Sequence, residues 1–173
     1  MTIPRFSALL GLLLLAPAAH AGGIIYADAN LNTGLNDGSS WDNAHQGSDG
    51  LRAAIAQAVS GDEVWAADGL YKPTTTASRG ISFGLKSGVA IYGGFAGGEA
   101  SLSERPPIGT SVSILSGDLS DNDGSNLFND NSFHVVNGLS TNASAILNGF
   151  TIRGGNSNSG AGNNDRGGGI LCF

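Results

Sequence analysis

The chain has 173 residues, among them 28 glycines and a single cysteine, and a formal net charge of −6. Glycine at more than twice the usual ~7% with no period-three repeat excludes collagen and implies many tight turns. The negative charge, with no basic cluster, argues against nucleic acid or an anionic membrane surface as partner, and the lone Cys172 leaves stability to packing instead of an intrachain disulfide.

Residues 1–21 read as a secretory signal peptide: Arg5 carries the charge, Ala8 to Ala16 form a short apolar run, and Ala19-His20-Ala21 offers small residues for cleavage. The run is shorter than the roughly 20 residues that span a bilayer. The expected mature segment therefore starts at Gly22, has no transmembrane span, and is secreted, extracellular or held at a bacterial cell surface (outer membrane).

Residues 22–62 hold an N-terminal strand (Ile24, Ile25, Tyr26), a polar loop from Asp28 to Ala44, and a helix. Leu51, Ala54, Ile55, Ala58 and Val59 fall on one helical face, Ser48 or Asp49 can cap its start, and Gly61 can end it. Residues 63–173 change character. Short apolar runs closed by glycine recur at Val64 to Tyr71, Val89 to Phe95, Val112 to Leu119, Phe133 to Val136, Ala145 to Ile152 and Gly169 to Phe173. The first four start 25, 23 and 21 residues apart and the later ones 12 and 24. Periods in the twenties indicate a solenoid, whereas an antiparallel sandwich would show hairpins at roughly 8 to 12 residues. The chain ends on the apolar run Gly169 to Phe173 with no capping element, which suggests that further coils follow.

The ordered segments IIYADAN, NDGSSWDNA, LRAAIAQAVSGDEVWAADGLYKP, GVAIYGGFAGGEASLSER, ILSGDLSDND, NSFHVV, AILNGFTIRGGN and RGGGI resemble the N-terminal region of bacterial secreted right-handed β-helix proteins, pectin-lyase-like and polymorphic-outer-membrane-protein-like. The resemblance covers Ile24 to Ile170. The fold class expected on these grounds is all-β: a right-handed parallel β-helix, capped by the helix at Leu51 to Val59 and incomplete at its C-terminus. Such proteins include polysaccharide lyases, adhesins and surface proteins, so the resemblance is far less specific for activity.

Chemistry-bearing side chains are few. Asp118, Asp121, Asp123 and Asp130, with Asn122 and Asn126, crowd one loop, and oxygen ligands at this density can hold calcium; Asp118, Asp121 and Asp123 are the candidate ligands. The bidentate Glu of an EF-hand is missing, and Asp and Asn also simply make turns, as Asp28, Asn30, Asn36 and Asp37 can in the first loop. A uronate lyase needs a cationic base, and the candidates are Arg52, Lys72, Arg79, Lys86, Arg105, Arg153 and Arg166, with no motif setting two beside the acidic loop. His45 and His134 lack the spacing of a metal pair. Tyr26, Trp41, Trp65, Tyr71 and Tyr92 form a sugar-stacking surface only if several point outward. No catalytic residue or nucleophile motif is identifiable. The function expected is a secreted or cell-surface scaffold, adhesive or glycan-binding, with a polysaccharide or cell-surface glycan as partner. The alternative is a polysaccharide lyase or other polysaccharide-degrading enzyme.

Overall fold

A computed structural model describes residues 21–160 and 162–172. The expected leader, but for Ala21, lies outside the described residues. Among the described residues there are eleven strands and one α-helix: β1 (Ile24–Asp28), β2 (His45–Gln46), α1 (Gly50–Gln57), β3 (Glu63–Ala67), β4 (Gly69–Tyr71), β5 (Phe83–Gly84), β6 (Ala90–Phe95), β7 (Ser113–Ser116), β8 (Val136–Asn137), β9 (Ile146–Asn148), β10 (Phe150–Arg153) and β11 (Ile170–Leu171).

The expected β-helix is corrected by this arrangement. The strands lie in three small parallel sheets, ordered β2-β1-β3-β6-β9, β10-β7-β4 and β11-β8-β5, beside one helix, and no closed solenoid is shown. The physical reason lies in the uneven runs. β1 and β2 precede any strand of the two smaller sheets, the strands vary from two to six residues, and the register slips between Trp65 and Ala67 where β3 meets β6. Two apolar runs that read as single elements are each broken into two strands belonging to different sheets. Asp68 separates β3 from β4, which opens on Gly69 at φ +148°, and Gly149, at φ +84°, separates β9 from β10. These are backbone conformations that favour glycine.

Alternation along β1 and β3 sets the core. Ile25, Val64 and Ile91 stand in register on the inner face of the largest sheet and pack with Leu51, Ala54 and Ile55 of α1, Tyr71, Phe83, Leu115, Val135 and Val136. The helix therefore buries the face expected of it up to Ala58, but it stops at Gln57, so Val59 is 51% exposed. Asp49 occupies its N-cap without a side-chain cap bond. At the other end Lys86 donates to the carbonyls of Ala56 and Ala58 at 2.7 and 2.8 Å, placing a cation on the negative end of the helix.

The outer face of the same sheet is aromatic. Tyr26, Trp65 and Tyr92 are in register across β1, β3 and β6. Trp41 from the first loop covers Tyr26 at 4.7 Å between centroids, and Phe95 stacks on Trp65 at 4.5 Å. Trp65, 2% exposed, satisfies its indole N–H on Glu63 at 2.7 Å, and Trp41 donates to the Glu99 carbonyl at 2.9 Å. Tyr26, Trp41, Trp65 and Phe95 pack on one another, and Arg105 covers Tyr92, which is how this sheet covers its second face without a second layer.

Candidate functional site

The loop after β7 and the turn after β10 come together at one end of the two smaller sheets. Gly117 N–H donates to Arg153 O at 2.9 Å, Ser132 N–H to Gly117 O at 2.8 Å, and Asn156 N–H to Ser132 O at 2.8 Å. These bonds bring Asp123, Phe128, Asn131, Gly154, Gly155 and Asn156 around a pocket of about 360 Å³. Gly154 is required here. It sits at φ +70°, and a Cβ would lie 2.8 Å from Asp118 N and 3.3 Å from Asp123 Oδ2.

Arg79 ties the pocket's walls together. Its guanidinium donates to Asn131 O at 2.6 Å, to Asn156 O at 2.9 Å and to Asn158 Oδ1, and it lies 4.3 Å over the Phe133 ring. Inside the pocket, Asn131 is 1% exposed and donates its amide to Asp123 Oδ1 at 2.9 Å, while its own Oδ1 has no hydrogen-bond partner among the described residues. Phe128 is 45% exposed. An aromatic ring left that open beside a carboxylate and two amides stands out, because the larger aromatics elsewhere are packed away.

The acidic loop is otherwise occupied with its own shape. Asp118 accepts the N–H groups of Asn122 and Asp123 at 3.1 and 3.2 Å. Asp121, in the left-handed region at φ +56°, pairs with Lys72 at 2.6 Å, and Lys72 also donates to Leu119 O. A hydrogen bond from the Ser120 hydroxyl, supported by the Asn122 amide and the charge of Arg79, holds Asp130 below its ordinary value. The three carboxylates expected to bind calcium thus make three different sets of bonds. Among the described residues no group of three or more His, Cys, Asp or Glu side chains converges as a metal site would. In the first loop Asp28 and Asp37 make turns by accepting the N–H groups of Asn30 and Ser39, while Asn36 accepts the Gln46 N–H and Asn30 donates to Asp68 O, tying the loop to residues farther along the chain.

No family model, curated protein or solved structure matches the chain.

The remaining candidates scatter. Arg52, Arg153 and Arg166 are exposed, and Arg105 leans over Tyr92 at 5.7 Å and donates to Gly93 O at 3.2 Å. His45 bonds Gln57 at 2.7 Å, whereas buried His134 bonds Gly167 O at 3.1 Å through Nδ1. Phe128, Asn131 and Asn156 were not singled out by sequence. An apolar ring stranded in the polar stretch SDNDGSNLFNDN is the one signal that pointed to the first of them.

Proposed function

We propose that this chain is an exported surface scaffold that binds glycan through the pocket formed by Asp123, Phe128, Asn131 and Asn156. The observation that carries the reading is the open face of Phe128 set beside the Asp123 carboxylate and the buried Asn131 amide. Sugars offer an apolar C–H face and a rim of hydroxyls, and a pocket that pairs a ring with planar polar groups complements both. The leader features of residues 1–21 support export, and no helix among the described residues is long and apolar enough to cross a membrane. The turn-forming use of the other acidic side chains supports a scaffold whose binding is confined to one place.

A glycan array probed with the purified chain tests the reading. Binding to one structural class of glycan, lost in Phe128→Ala while the unfolding midpoint stays put, is the expected result. An array on which wild type and Phe128→Ala give the same signals removes the pocket from the reading, and a blank array removes the function.

A further inference from the structure

We propose that the Asp123–Asn131 pocket selects saccharides that bring hydrogen-bond donors without negative charge, uncharged or amino-substituted chains, and turns away uronates. The inference rests on the glycan-binding reading and names its ligand class.

Several donors of the pocket are turned onto its own walls. The Asn131 amide donates to Asp123 Oδ1 at 2.9 Å, the Asn156 amide to Phe128 O at 2.7 Å, and the Asn156 N–H to Ser132 O at 2.8 Å. Arg79, the cation that braces the walls, is divided among Asn131 O, Asn156 O and Asn158 Oδ1. Lys72, the other cation of this region, is held by Asp121 and Leu119 O.

What remains is acceptor. Asn131 Oδ1 is buried with no hydrogen-bond partner among the described residues, and so is Asn122 Oδ1 in the loop that carries Asp123. A buried acceptor without a donor costs about as much as a lost hydrogen bond, so a ligand that supplies an O–H or N–H gains at this point. The Asp123 carboxylate adds to the demand for donors. A sugar hydroxyl or ammonium meets it directly, whereas a uronate carboxylate would face the like charge of Asp123, with the Arg79 guanidinium directed at the wall oxygens of Asn131, Asn156 and Asn158. The exposed ring of Phe128 serves any pyranose and does not discriminate.

Calorimetric titration of the full chain with cellohexaose, a glucosamine hexamer and hexagalacturonate, at low salt, tests the class. Cellohexaose or the glucosamine hexamer should bind at least about tenfold more tightly than hexagalacturonate, a difference on the scale of one close like-charge contact. Asp123→Asn should narrow that gap by improving hexagalacturonate. Phe128→Ala should weaken all the sugars together and leave the preference unchanged. Hexagalacturonate binding as tightly as the neutral chain, or a gap that Asp123→Asn leaves intact, overturns the class while glycan binding stands. Silence toward all three hexamers overturns the class as well, and only a blank glycan array in addition brings down the reading beneath it.

Discussion

Asn131 donates its side-chain amide to the carboxylate of Asp123 at 2.9 Å from a position 1% exposed to solvent. The bond orients the carboxylate and uses one N–H of the amide. Replacing Asn131 by Asp keeps the volume and sets two carboxylates against each other. One must then protonate or move. Asn131→Asp is expected to lower stability by about 2 kcal/mol at neutral pH, by the loss of a charge-assisted bond and the gain of like-charge repulsion. Because protonating either group restores a donor, the deficit should shrink as the pH drops below about 5. Urea unfolding at the two pH values checks this, and a deficit that does not change with pH would show that the two side chains do not face each other.

Arg79 braces two walls of the same pocket, through Asn131 O and Asn156 O, while covering the Phe133 ring. Arg79→Ala removes the fork and the cation over the ring, and about 2 to 4 kcal/mol of stability should go with it. Arg79→Lys should recover less than half, since a single ammonium cannot reach both carbonyls in the geometry of a planar guanidinium. Thermal unfolding gives the ranking, and faster amide exchange at Asn156, whose N–H donates to Ser132 O, would place the damage at the pocket. Equal stability of the two variants would contradict the bracing role.

Arg79 also shows where sequence reading stops. It appeared there only as one of seven cations, because nothing local announces that residue 79 meets residues 131, 156 and 158. The helix was legible, since Leu51, Ala54 and Ile55 recur at helical spacing and all three are buried. Its end was misplaced because the chain leaves helical geometry at Ala58, at ψ +142°, before Gly61 is reached. The apolar runs located β3, β6, β7 and β9 to β11, but their parsing into sheets depended on the breaks at Asp68-Gly69 and Asn148-Gly149, single polar-glycine pairs inside runs that otherwise read as continuous. The two-residue strands His45–Gln46 and Phe83–Gly84 carry no periodic signal and are defined only by their partners. The acidic loop was visible as composition, yet the use of Asp121 was set by Lys72, 49 residues away, and that of Asp123 by the buried amide of Asn131.

Tyr71 is fully buried, with its hydroxyl 2.9 Å from Ala67 O and 3.1 Å from Ala27 O and accepting the Ala29 N–H at 3.3 Å. Burial pushes the phenol well above its ordinary value of 10.0. A folded-state value above the unfolded one means that the contribution is whole below about pH 10 and declines as the pH rises past it, because the unfolded chain can release the proton and the folded chain cannot. Tyr71→Phe should cost about 1 to 2 kcal/mol near neutrality from the lost bonds. It should also flatten the loss of stability between pH 9.5 and 11. Denaturant midpoints across that range test both parts, and an equally steep alkaline decline in Tyr71→Phe would assign it to other groups.

Glu99 closes the turn after β6 by accepting the N–H groups of Ala96, Gly97 and Gly98 at 2.6 to 3.0 Å, while its own carbonyl receives the Trp41 indole at 2.9 Å. Burial alone would raise this carboxyl, but the backbone donors outweigh it and hold the group below its ordinary value of 4.5. With the folded-state value depressed, the contribution is present above the unfolded value and is lost as the pH falls through the folded one. Stability should therefore decline below about pH 4.5, and Glu99→Gln, which keeps the shape but carries no charge, should remove part of that acid slope. The same substitution should cost about 1 kcal/mol at pH 7, a modest figure because the side chain is partly solvated. Loosening this turn frees the carbonyl that anchors Trp41, so the tryptophan fluorescence of Glu99→Gln should shift toward the solvated limit before global unfolding. An unchanged emission maximum would mean that the aromatic cover over Tyr26 and Trp65 holds without the turn.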